Sequence, residues 1–145
     1  MSFLQPFFQL FLSFVAIYAF SIMYSAPRFQ CPYCGICGCF TWGISHLMEE
    51  LGAGNMLSVL TATFFLTLLT RILSVKRKTP ITIYLMTGVL PLVPGAGIYY
   101  TSYYLMLDEA RTAARMGLEA FQTAGAISFG IVFGFALPLP RLLFK

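Results

Sequence analysis

The charged side chains of this 145-residue sequence fall at 28, 49–50, 71–78, 108–119, 141 and 145, and nowhere else. The gaps between them, 1–27, 29–48, 51–70, 79–107 and 120–140, are each 20 residues or longer. A helix needs about 20 apolar residues to cross a hydrocarbon core of ~30 Å. Five such gaps predict an all-α, polytopic transmembrane bundle, a single domain over 1–145. Its spans are expected at about 3–25, 29–48, 51–70, 81–107 and 120–140. Only 10% of the residues are charged, where a soluble domain carries about 25%. A soluble enzyme, a nucleic-acid-binding domain and a secreted disulfide scaffold are thereby excluded. Residues 1–27 lack a basic n-region, and their apolar stretch exceeds the ~7–15 residue core of a signal peptide. They are expected to remain as a membrane helix.

Basic residues gather on cytoplasmic loops. With the loop Arg71 to Lys78 placed there, alternation of five spans puts Arg28, Arg141 and Lys145 on the same side. All five acids then lie outside, together with Arg111 and Arg115. The expected topology has the N-terminus outside and the C-terminus in the cytoplasm. The window 29–48 is the weakest span, with Gln30, Pro32, His46 and many Gly and Cys. A re-entrant or buried 29–48 leaves four spans open.

The run Cys31-Pro-Tyr-Cys34-Gly-Ile-Cys37-Gly-Cys39 resembles an iron–sulfur ligand run without matching one, because the fourth Cys follows after one residue and no Pro comes next. No second Cys pair or further His supports zinc. Small residues that let helices approach closely are the simpler reading, and no metal or other cofactor is expected. His46, three and four residues before Glu49 and Glu50, reads as an interfacial hydrogen-bonding group.

The fourth window is different. It holds 27 residues from Ile81 to Leu107, with Pro91-Leu-Val-Pro94-Gly95-Ala96-Gly97 at its centre. Proline removes a backbone donor and clashes with the preceding turn. Two half-helices are expected, about 81–90 and 98–107, with a break over 91–97 near the bilayer midplane. Irregular backbone at that depth must be buried in protein or line a water-filled cavity. In secondary transporters, half-helix N-termini at such breaks face anionic groups. Free N–H groups over Gly95–Ile98 would suit a carboxylate. A kink that serves packing alone is the structural alternative. Tyr99, Tyr100 and Thr101 follow within a turn and have hydroxyls for a solute, or for the aromatic belt that Tyr103 and Tyr104 are expected to join. The charge spacing in 108–119 suggests a short surface helix leading into Glu119, Gln122 and Thr123. Glu119 is a candidate proton acceptor if it enters the membrane, or a head-group residue if it does not. Gly130-x-x-x-Gly134 reads as a helix interface.

The basic loop, Thr79-Pro80, the apolar half-helix, Pro91-Leu-Val-Pro94-Gly95-Ala96-Gly97-Ile98-Tyr99, Gly117-Leu-Glu119 and the Gly/Ala-rich last helix together resemble the threonine/serine exporter family. The likeness is to its short C-terminal half, a separate subunit in many bacteria. It is strong over 71–135 and looser over 1–70. It implies an inner-membrane exporter of about ten helices in two five-helix halves, the other half supplied by a larger multi-spanning partner subunit. The implied solutes are threonine and serine, with dicarboxylates such as succinate in some split pairs. Pro91, Pro94, Gly95 and Gly97 carry over as motif positions only, and the four cysteines depart from the family's character. The expected function is export of a small carboxylate-bearing metabolite, not enzymatic and without direct use of ATP, since no nucleotide-binding loop is found. The expected translocation residues are Pro91, Pro94, Gly95, Ala96, Gly97, Tyr99, Tyr100, Thr101, Glu119 and Gln122. A membrane scaffold subunit is the rival from another class.

Overall fold

The structure, a computed structural model, describes residues 4–138. Arg141, Lys145 and the last two residues of the fifth window lie outside them. The described chain forms six α-helices: α1 (Leu4–Met23), α2 (Cys31–Glu50), α3 (Asn55–Arg77), α4 (Ile81–Val89), α5 (Gly95–Met106) and α6 (Ala110–Ala136). A 3₁₀ turn, Leu90–Leu92, extends α4 toward the break. By length and composition α3 and α6 are each able to cross a membrane, and the α4–α5 pair is a third if its two bent parts make one span. α1 adds a shorter apolar stretch, Phe7–Met23, counted over the residues whose side chains are described. Five spans are therefore more than length and apolarity alone support. The shortfall at α2 has a plain cause in its polar C-terminal face, described below.

Four of the connections use one device. Within two residues of the ends of α1, α2, α3 and α5 the chain turns left-handed, at Ser25, Gly52, Lys78 and Asp108. The next N–H then reaches back five residues: Ala26 to the Ser21 carbonyl, Ala53 to Met48, Thr79 to Ser74 and Glu109 to Tyr104. This Schellman closure satisfies a carbonyl that the helix end leaves free. It also reverses the chain, so the helices alternate in direction and α3 and α6 run parallel.

Contact between helices rests on small residues. A Cβ at Gly130 would run into Thr63 Oγ1 and come within 2.7 Å of the Leu60 carbonyl oxygen, and one at Gly134 would lie 2.5 Å from Thr67 Cβ. The two glycines thus seat two threonines of α3, whose hydroxyls turn back on their own helix, Thr63 to Val59 and Thr67 to Thr63. Such back-bonding satisfies both hydroxyls within α3, so neither needs a partner on α6. One turn further, Arg71 Nη1 donates to the carbonyls of Gly134 (2.8 Å) and Leu137 (2.6 Å) at the end of α6. A cation there also complements the negative end of the helix dipole. On the other side of α3, Cys34 and Cys37 of α2 are buried in one cluster with Ile17, Leu66 and Tyr84, and the Tyr84 hydroxyl donates to Gln30. Those two thiols are packing groups, as the small-residue reading expects.

Two expectations need correction. Residues 108–119 do not form a separate surface helix: from Ala110 they are the first turns of α6, because the Asp108 turn completes the reversal before them. The break is also narrower than 91–97. The 3₁₀ turn carries the first half to Leu92 and α5 begins at Gly95, leaving Val93 and Pro94 as the joint, with a bend of 51°.

Gly130→Ala should destabilise the protein by about 1–3 kcal/mol, since a backbone oxygen cannot move aside as a side-chain end can. Gly125→Ala, where a Cβ meets nothing within 4 Å, should leave stability unchanged. Thermal unfolding in detergent distinguishes the two.

Candidate functional site

The joint at Val93–Pro94 closes on itself. The Gly95 N–H donates to the Val93 carbonyl at 2.7 Å and the Ile98 N–H to Pro94 at 3.1 Å. The expected run of free donors over Gly95–Ile98 thus shrinks to Ala96 and Gly97, whose N–H groups have no backbone partner among the described residues. Gly97 is a packing position: a Cβ there would lie 3.0 Å from that of Ala120 on α6. Gly95 is open, with nothing within 4 Å of such a Cβ.

Beneath the joint lies a cleft of about 480 Å³, walled by Pro91, Leu92 and Pro94 on one side. Opposite them, α2 presents Trp42, Ser45, His46 and Glu49, spaced i, i+3, i+4, i+7 and so on one helix face. Gln9 of α1, Asn55 at the start of α3 and Thr123 of α6 complete the lining. The Trp42 and His46 rings lie 4.9 Å apart, and His46 Nε2 is 3.6 Å from Glu50 Oε1. Neither Lys nor Arg lines this cleft. Val59 also lines it, and with Leu92 belongs to an apolar cluster that includes Ala62 and Ala126. The break therefore stands level with the first turns of α3, where Leu92 meets Val59, and not with the middle of that helix.

A second hollow of about 550 Å³ continues toward α1 and is lined by Gln9, Ser13, Trp42, Pro91 and Gly95 among others. The Ser13 hydroxyl is buried without a hydrogen-bond partner. On the far side of α5, Thr101 donates to the Gly97 carbonyl at 2.7 Å and lines an apolar groove of about 570 Å³ with Gly117, Ala120 and Phe121.

Of the residues expected at the site, Pro91 and Pro94 line the cleft. Tyr99 and Tyr100 are exposed on α5, in a ladder of rings with Tyr103 and Tyr104. Glu119 and Gln122 are exposed on α6, and Glu119 pairs with Arg115 at 3.3 Å. Sequence reasoning overlooked Gln9, Trp42, Ser45 and Asn55, and read His46 and Glu49 only as interfacial. The signal was present in the helical spacing of 42, 45, 46 and 49.

Residues 9–136 match the family described as Threonine/Serine exporter, ThrE. The chain belongs to that family. No curated protein and no solved structure matches it. Membership makes this chain a membrane protein of a threonine/serine exporter, and implies a non-enzymatic role for it.

Gly97→Leu should pry α5 from α6 and expose the exporter's α5–α6 turn to protease. Gly95→Leu should leave proteolysis unchanged, so a loss of export in that variant alone would report a solute or a second chain in the open space beside Gly95.

Proposed function

We propose that the polar cleft at the break is the passage through which the exporter hands threonine or serine across the membrane. The observation that carries this is the convergence of polar side chains from α1, α2, α3 and α6 on the break between α4 and α5. An apolar bundle gains no stability from such a face unless something polar occupies it. The lining favours a zwitterion. Glu49 suits an α-ammonium group, while the unbonded N–H groups of Ala96 and Gly97 and the positive end of α5 suit a carboxylate. A dicarboxylate such as succinate is the weaker candidate, because the cleft has Glu49 and no Lys or Arg to offset two negative charges.

In this reading the chain makes five passes, with α4 and α5 forming one broken pass. The basic ends at Arg28 and Lys76–Lys78 face the cytoplasm, and Asp108–Glu119 faces outward. Pro91, Pro94, Gly95, Ala96 and Gly97 form the inner part of the path. Tyr99, Tyr100, Thr101, Glu119 and Gln122, on the hairpin of α5 and α6, form its outer part. A larger multi-spanning subunit of the same family completes the transporter. It covers α5, which buries none of its own residues in this chain, and the open N–H groups at the break, which hydrocarbon would leave unsatisfied.

Two measurements test this reading. Glu49→Gln removes the charge and keeps the shape, so export of threonine from loaded cells should fall at least about tenfold, the loss expected for one charge-assisted hydrogen bond. Unchanged export would remove the cleft from the path. A cysteine probe at Thr112 should react with an impermeant reagent added outside, in a chain lacking its native cysteines, and one at Ser74 should not. The opposite pattern would invert the topology.

A further inference from the structure

Ser45 is only 6% exposed, yet it lines the cleft. A hydroxyl on a buried helix ordinarily donates to a carbonyl three or four residues back, because the apolar surroundings offer nothing else. Apart from Ser13, whose buried hydroxyl also lacks a partner, the other buried Ser and Thr side chains among the described residues follow that habit. Ser21 donates to Tyr18, Thr41 to Cys37, Ser58 to Gly54, and Thr123 to Glu119. Thr63, Thr67, Thr70 and Thr87 do the same. Ser45 makes no side-chain hydrogen bond among the described residues, although Thr41, one turn earlier on the same helix, makes the usual one. Its position also matters. It lies on the face that includes Trp42 and Glu49, across from Pro91 and Leu92.

The Ser45 hydroxyl opens on the cleft and bonds no side chain or carbonyl of the described residues, so it is available to whatever occupies that space. The ligand group that matches it best is another hydroxyl, able to donate and accept at once. Threonine and serine each carry one hydroxyl, and differ from 2-aminobutyrate and alanine by that group alone. We infer that Ser45 is the specificity-determining residue of the passage: its hydroxyl hydrogen-bonds the side-chain hydroxyl of threonine or serine. This rests on the cleft being the passage. A site that holds a buried polar group for a substrate hydroxyl rejects the analogue without it, because binding the analogue leaves that group unpaired. Discrimination by this route needs no new contact and no change in pocket size. Ser45 would select, while Glu49 and the break would hold the groups common to all amino acids.

The test uses cells carrying the full exporter, loaded with threonine and 2-aminobutyrate together, and reads the ratio of their export rates. The wild-type chain should favour threonine. Ser45→Ala should lower that ratio by about tenfold or more, and Ser45→Thr, which keeps a hydroxyl, should retain most of it. A Ser45→Ala chain that exports both solutes more slowly at an unchanged ratio would overturn the inference, as that is what a packing role predicts. A wild-type exporter that does not distinguish the two solutes would overturn it as well, whether or not any variant accumulates. Asn55→Leu separates this from the underlying reading. Threonine export that survives a leucine in the cleft would sink the passage itself, whereas its loss, with the Ser45→Ala ratio unchanged, would sink only the role of Ser45.

Discussion

Close approach of helix backbones is the interaction on which this fold depends. With few charges along the helices, and with lipid as apolar as any side chain, burial of apolar surface gives little preference for one helix neighbour over another. What remains is van der Waals contact, each atom pair gaining only about 0.1–0.2 kcal/mol, so the backbones must come near enough for many pairs. Gly130 and Gly134 allow this against Thr63 and Thr67, and Gly38 allows it against Ile17 between α1 and α2. The threonines contribute by what they withhold. Their hydroxyls are spent on their own helix, so they need no partner on α6, and Thr63 meets Gly130 with its oxygen while Thr67 meets Gly134 with carbon.

The same economy governs the ends. Four helix ends close by reaching back five residues, so at each of them a carbonyl that the helix leaves free is satisfied by backbone. The end of α6 shows no such closure among the described residues, and there a charged side chain from another helix serves its carbonyls. Arg71 interrupts the long uncharged runs in sequence, but in space it serves the carbonyls of Gly134 and Leu137. A residue whose position in the chain marks topology therefore also holds two helices together.

Much of the helical layout was legible because it is written in one dimension. Charge-free windows mark the helices, and Pro91, Pro94 and Gly95 mark the break, to within the two or three residues by which the 3₁₀ turn narrows it. The start of α6 was misjudged because hydropathy locates apolar segments, and a helix continues past them wherever its backbone bonds permit, as it does over Arg111 and Arg115. The cleft was harder to see. Gln9, Asn55 and Thr123 are each ordinary in their own segments and acquire meaning only when three helices bring them to Pro91 and Pro94. The stripe of Trp42, Ser45, His46 and Glu49 was readable in principle. Its periodicity was obscured by the cysteines and glycines that precede it, which suggest a metal site by spacing and serve packing in fact.

The grip between α3 and α6 has a kinematic consequence. Gly130 and Gly134 fit Thr63 and Thr67 in one register only, and Arg71 fixes that register at its end, so α6 cannot slide along α3 without stranding a guanidinium and two carbonyls. Farther along α6, α5 is locked to it through Gly97 and Ala120. These three helices therefore behave as one rigid frame. Any breathing of the cleft then falls to the wall opposite that frame, the hairpin of α1 and α2, which meets α3 and α4 largely through thiols and methyl groups and is tied to α4 by the Tyr84–Gln30 hydrogen bond at the far end from the cleft's polar stripe. In the proposed passage this makes a door swinging from a fixed jamb, with the polar stripe of α2 on the moving leaf.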